Sequence, residues 1–167
     1  MELKNRRNQP APRGFPGGLD AEKQPEERRE MSVVRAMFRS HPEHPAHSDT
    51  ITACIDACSL CVETCTACAD ACLSEKHMES LISCIRMNLD CAAVCAATGS
   101  VMARANKAGN RQPLEAQLTT CIAFCRACAS ECTRHADRHK HCRVCAEACT
   151  KCAECCTQML ATLRMPA

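Results

Sequence analysis

The stretch from Cys54 to Cys72 reads CIDACSLCVETCTACADAC, so that cysteines recur at steps of four, three, four, three and four. The pattern returns at Cys121, Cys125, Cys128 and Cys132, and again at Cys142, Cys145, Cys149, Cys152 and Cys156. A sparser version holds Cys84, Cys91 and Cys95, with Met87 or Asn88 standing at the missing step. At about 100° per residue, the six cysteines of the first stretch fall within an arc of roughly 80° on a helix. On a strand the odd steps would scatter them onto both faces. Cys155 lies about 100° away from the stripe of its neighbours.

Thiols so arranged favour soft-metal ligation over cross-linking. Cysteines four apart on one helix sit about 6 Å apart at the backbone and lean the same way. A disulfide needs Cβ atoms within roughly 4.5 Å and suitably aimed, which a regular helix does not offer. A two-coordinate ion spans the gap better. Cu(I) is soft, takes two or three thiolates, and lets each thiolate bridge two ions, so capacity approaches about one ion per cysteine. Zinc wants four tetrahedral ligands, commonly from loop-borne CxxC knuckles. Here Cys58–Cys61 and Cys142–Cys145 lie inside Ala-rich helical runs, so zinc is the weaker reading, although facing helices could assemble four-thiolate sites. Iron–sulfur binding lacks its loop cysteines and Cys-Pro ending. Thioredoxin-like chemistry lacks its βαβ context. One or two such cysteines would read as inert core filler; a stripe on every helix does not.

The elements that must position these thiols follow from composition and breaks. The chain has 167 residues, with three Phe and neither Tyr nor Trp, so cysteine must fill much of the interior. A net charge of +2 with interspersed signs argues against nucleic acid or a membrane surface as partner, and no apolar run reads as long enough to span a bilayer. Dense cysteine usually marks a secreted disulfide scaffold. Three features oppose that: the N-terminal residues lack an apolar signal region, the count of 19 is odd, and residues 46–98 contain neither Gly nor Pro. The expectation is a cytoplasmic protein with reduced thiols. Residues 1–45, rich in Pro, Gly, Arg and Glu, read as a mostly disordered extension with a short helix over Glu26–Ser40. Residues 46–165 read as four helices, about Asp49–Ser74 with Ser48 or Asp49 as N-cap, Lys76–Asn106, Pro113–Asp137 and Lys140–Leu163. Short connections make neighbours antiparallel. The fold expected is all-α, an up-down-up-down four-helix bundle with a cysteine-lined core.

In that topology the first–second and third–fourth connections share one end. His77 precedes Cys84 by seven residues, and His135 and His139 continue the third stripe beyond Cys132. These three are expected to relay metal in and out. His141 reads equally well as a polar turn residue, and His41, His44 and His47 as solvated. Ile51, Ile55, Met102, Leu114, Leu118, Leu160 and Leu163 are expected to plug the opposite end. Asp70, Glu131 and Glu147 look peripheral to the stripes. No Asp/Glu/His set stands in the core, and the chain does not read as an enzyme. A zinc or general soft-metal buffer and a thiol- or copper-dependent redox enzyme are the alternatives.

Together, HSDTITACIDACSLCVETCTACADACLSEKHM, CIAFCRACASECTRHADRH and CRVCAEACTKCAECC closely resemble the bacterial four-helix-bundle copper storage proteins, most of all their cytosolic branch. The resemblance covers roughly residues 41–163. The residues themselves make all nineteen cysteines, Cys155 included, candidate ligands, and the resemblance implies storage of many Cu(I) ions in the core, mostly through CxxxC pairs. It also implies a cytoplasmic location, histidines at the entry end, and bundles assembled into a tetramer. A copper chaperone or a small thiol is the expected recipient.

Overall fold

The structure, a computed structural model, describes residues 33–43, 47–105 and 111–165. Its elements are α1 (Val33–Ser40), α2 (Ser48–Leu73), a 3-10 turn (Met78–Leu81), α3 (Ile82–Met102), α4 (Arg111–Thr133) and α5 (Lys140–Arg164), with no strand among the described residues. Around the bundle, α2 packs on α3 and α5, and α4 packs on the same two helices. Sulfur contacts give the directions. Cys54, Cys61 and Cys65 of α2 meet Cys156, Cys149 and Cys145 of α5, numbers rising against numbers falling. On α3, Cys84, Cys91 and Cys95 meet Cys132, Cys125 and Cys121 of α4 in the same opposed sense. The expected antiparallel four-helix bundle is the observed one.

Cysteine is a mediocre helix former, so the alanines between the thiols and the burial of the stripes carry these helices. The ends differ from expectation in instructive ways. Neither Ser48 nor Asp49 caps α2. His47 occupies the cap position in the left-handed region, φ 61°, without a side-chain cap bond, and the Ser48 carbonyl accepts the Thr52 hydroxyl at 2.7 Å. Asp49 instead sits in the first turn, where a carboxylate complements the helix dipole, 3.8 Å from Arg35 of α1. The second long helix starts later than Lys76, because the chain first takes the 3-10 turn that buries Leu81. It ends at Met102 rather than Asn106, which lies outside the described residues. The α4 helix stops at Thr133, short of Asp137; hydrogen-bonded turns continue to His139. Of the helix expected over Glu26–Ser40, Val33–Ser40 is helical and 26–32 lies outside the described residues, as does most of the 1–45 extension.

The thiol stripes converge on one axis. Eighteen of the nineteen cysteines are at most 2% exposed. The apolar end forms as expected: Ile51, Ile55, Met102 and Leu118 are buried, and Leu114, Leu160 and Leu163 pack partly buried against them. Met159 and Phe38 of α1 join the same core. One expectation needs correcting. The helices over Ser48–Leu73 and Met78–Met102 are, by length and composition, apolar enough to cross a membrane, each containing an 18-residue stretch of mean hydropathy 1.4. Cysteine and alanine carry that hydropathy, and the cysteines are turned inward onto the other helices.

Because thiols pack as small hydrophobes, the reduced, metal-free protein should already be helical. Circular dichroism checks this: a coil spectrum that becomes helical only on metal addition would contradict the packing described.

Candidate metal centre

The cysteines form a continuous ladder of sulfur rather than separate knuckles. From the apolar end, Cys54 lies 3.6 Å from Cys156, Cys156 3.7 Å from Cys121, and Cys152 3.8 Å from Cys58. Midway, Cys95 is 3.5 Å from Cys125, Cys61 is 3.7 Å from Cys149, and Cys65 is 3.4 Å from Cys149. Further on, Cys84 lies 3.6 Å from Cys132. Pairs four apart on one helix, such as Cys61–Cys65 at 3.8 Å and Cys145–Cys149 at 4.0 Å, are no closer than pairs between helices. Sulfurs also meet across the bundle diagonals, Cys65 with Cys128 at 3.9 Å and Cys95 with Cys152 at 4.0 Å. Every one of the nineteen is a free thiol.

Groups of four thiols that fit within 4.8 Å include Cys58/Cys121/Cys152/Cys156, Cys61/Cys91/Cys95/Cys125, Cys61/Cys65/Cys91/Cys149, Cys65/Cys128/Cys145/Cys149 and Cys68/Cys72/Cys84/Cys142. With a metal–sulfur bond of about 2.3 Å, two thiolates stand about 3.8 Å apart on a tetrahedral ion and up to about 4.6 Å apart on a linear one. The observed spacings therefore reach either geometry with sub-ångström adjustments. Sharing distinguishes the arrangement from isolated sites. Cys61, Cys65, Cys91 and Cys149 each belong to two groups, so an ion in one group and an ion in the next would have a thiolate in common.

The thiols also hydrogen-bond one another, which separates their acidities. Donation from Cys156, and then from Cys58, draws Cys54 down to about 5 against the burial that pushes it up. Burial pushes Cys142 up to about 11, and the charge of Cys72 adds to it. A low-dielectric core cannot hold many uncompensated thiolates, so soft cations that replace the protons would neutralise it.

Asn88 completes the α3 stripe and Met87 does not. The Asn88 Oδ1 accepts S–H bonds from Cys128 and Cys145 at 3.1 Å each and from Cys132 at 3.5 Å, while its Nδ2 donates to Cys84 Sγ at 3.5 Å. It is fully buried, whereas Met87 is half-buried on the flank of the core. Standing four residues after Cys84 and three before Cys91, it keeps the stripe spacing, which is the signal that singles it out. Cys155 is only partly buried and lies off the ladder; burial raises its thiol.

Where the α2–α3 and α4–α5 connections meet, the ladder ends in imidazoles. His141 is the histidine that touches sulfur, its Nδ1 lying 3.4 Å from Cys142, 3.5 Å from Cys68 and 4.0 Å from Cys72. The sequence reading undervalued it, although its spacing of four from Cys145 puts it beside the α5 stripe. His139 Nδ1 lies 2.8 Å from Glu75 Oε1, and its ring centroid is 5.4 Å from that of His141. His135 is 8% exposed, with Nε2 3.3 Å from Glu131 Oε1 and Nδ1 buried without a partner among the described residues. Glu131 is thus drawn to the mouth rather than left peripheral. His77 is exposed at the start of the 3-10 turn, and no hydrogen bond joins its ring to a thiol.

Asn88→Ala removes one acceptor from three buried thiols and one donor from a fourth. The loss should be about 1–3 kcal/mol, measured by urea unfolding of the reduced, metal-free protein.

Comparison with known proteins agrees with this geometry. The family model described as Csp, copper storage protein, matches residues 47–161. Among solved structures, the copper storage protein Ccsp of Streptomyces lividans loaded with 10 copper equivalents is 43% identical, with a TM-score of 0.74, covering 77% of this chain and 98% of that one. A second structure, described as copper loading to a cytosolic copper storage protein from Streptomyces lividans with five coppers, is 47% identical, with a TM-score of 0.66, covering 68% and 93%. The Cu(I)-bound copper storage protein BsCsp3 is 35% identical, with a TM-score of 0.59, covering 66% and 97%. A sulfur-lined helical bundle and a family match over most of the chain lead to one assignment: this chain belongs to the copper storage protein family.

Proposed function

We propose that this protein is a cytoplasmic reservoir for many Cu(I) ions, held by the eighteen buried cysteines and exchanged at the end formed by His135, His139 and His141. The observation that carries the reading is the ladder of eighteen buried, reduced thiols, whose middle four-sulfur groups share members. Bridging suits a monovalent soft ion, because each added Cu(I) replaces about one proton and leaves the core near neutrality. Its relatives support the identity of the cargo: structures of Ccsp and BsCsp3 carry copper. The description of the Streptomyces protein as cytosolic supports the location.

The role is storage rather than catalysis. The buried polar residues away from the mouth are Thr52, Asn88 and Thr98, none of them an acid or base. Entry falls at the imidazole end because the opposite end is filled by Met102, Leu118, Met159 and Phe38. His77 takes no part in this reading, and Cys155 stands outside the store. Delivery is to a copper chaperone or a small thiol that competes at the mouth, and the functional unit is a tetramer of bundles.

Zinc is the competing reading, since four of the four-thiol groups share no member and together take in sixteen of the eighteen buried thiols. Anaerobic titration of Cu(I) and Zn(II) against chromophoric competitors decides between them. The expected outcome is uptake of about one Cu(I) per buried thiol, undisturbed by excess zinc; uptake of only a handful of ions would overturn the storage reading. Since copper displaces thiol protons, loading should release protons and require more free copper as pH falls. Sedimentation of the same samples tests the tetramer, which a single-bundle mass would exclude.

A further inference from the structure

The two connections at the mouth are joined by one carboxylate that no stripe or spacing singles out. Glu75 follows Cys72 at the end of α2, and its backbone N–H is tied to the Cys72 carbonyl at 3.3 Å. From there its Oε1 reaches the other connection, meeting His139 Nδ1 at 2.8 Å and His141 Nε2 at 3.2 Å. An ionised carboxylate has only lone pairs to offer, so each nitrogen that faces it must carry a hydrogen.

That requirement fixes which nitrogen of each neutral ring keeps a free lone pair. On His141 it is Nδ1, the atom set 3.4 to 4.0 Å from the sulfurs of Cys142, Cys68 and Cys72. On His139 it is Nε2, leaving Nδ1–H on the carboxylate. Carboxylates behind metal-binding histidines commonly orient the ring, set its tautomer and raise its basicity. Here one such group serves two rings, and it comes from the segment that also carries Cys72.

We infer that Glu75 is a positioning residue for copper exchange, fixing the tautomers of His139 and His141 so that His141 presents Nδ1 to the outermost thiols and His139 presents Nε2. The inference rests on the storage reading for its kinetic half, while its structural half concerns the metal-free protein. A carboxylate that merely tied two loops together would affect stability. A positioning carboxylate also affects ring chemistry and the rate of exchange, without affecting how many ions the core holds.

The experiment pairs two readouts on the reduced full chain at about pH 8, in wild type, Glu75→Ala and Glu75→Gln. Nitrogen-15 spectra of the metal-free protein report the tautomers. Wild type should give Nδ1–H at His139 and Nε2–H at His141, and Glu75→Ala should return His139 to the Nε2–H form a free imidazole prefers. Stopped-flow transfer of Cu(I) from a chromophoric donor reports exchange. Glu75→Ala should slow the early phase several-fold while the final stoichiometry stays at the wild-type value. Glu75→Gln keeps the reach and an acceptor oxygen and should fall between the two in both readouts; it carries the test if the alanine variant fails to fold. Wild-type tautomers other than those named would overturn the inference, as would unchanged tautomers or unchanged uptake in Glu75→Ala. Slow uptake in Glu75→Gln with wild-type tautomers would overturn it as well. Wild type with the expected tautomers but few bound ions would overturn the storage reading and the kinetic half together, which separates the two failures.

Discussion

Everything in this molecule depends on a side chain that is two things in turn. A protonated thiol packs as a small hydrophobe, so eighteen of them can fill a closed core where leucine would ordinarily sit. A thiolate is a charged soft ligand, and a low-dielectric core tolerates one only when a cation or hydrogen-bond donors compensate it. The bundle is therefore stable as an apolar object and reactive as a polar one, and exchange of a proton for a soft cation switches between the two states. Aromatic bulk would have filled the same volume without that second state, which gives physical sense to a chain with three Phe and no Tyr or Trp.

The geometry distributes this property evenly. Sulfur contacts of 3.4 to 4.0 Å are made alike between helices, along helices and across the diagonals. Midway along the bundle, neighbouring groups share corners. Asn88 is the single interruption, a neutral amide that satisfies four thiols from three helices where a fifth sulfur would otherwise stand. Its oxygen accepts S–H bonds from three of them, which favours their protonated state in the metal-free core.

Much of this was legible in the sequence because a period of 3.6 residues writes the inner face of a helix directly into the spacing of one residue type. The eighteen inward thiols follow from that, and the breaks and short connections add the four rods and their antiparallel order. Helix ends were less legible. Residues such as Ser48 and Asp49 look like caps, yet Asp49 answers to Arg35 on another helix and the cap falls to His47 in a left-handed conformation. The mouth was read in part. His135 and His139 continued a stripe and were found there, whereas His77 shared the periodicity but the 3-10 turn leaves it exposed. His141 and Asn88 carried the spacing signal without being given its weight. Glu75 carried none, since its partners lie 64 and 66 residues away and only the folded connections bring them together.

The closed end has a consequence for the order of traffic. With Phe38, Leu118, Met102 and Met159 packed into one extremity, the proposed exchange through the imidazoles at the other would leave occupants no passage from end to end. On that proposal a cul-de-sac would work as a stack: whatever is lodged deepest near Cys54 and Cys156 would be the last withdrawn, and a half-empty vessel would surrender its outermost contents first.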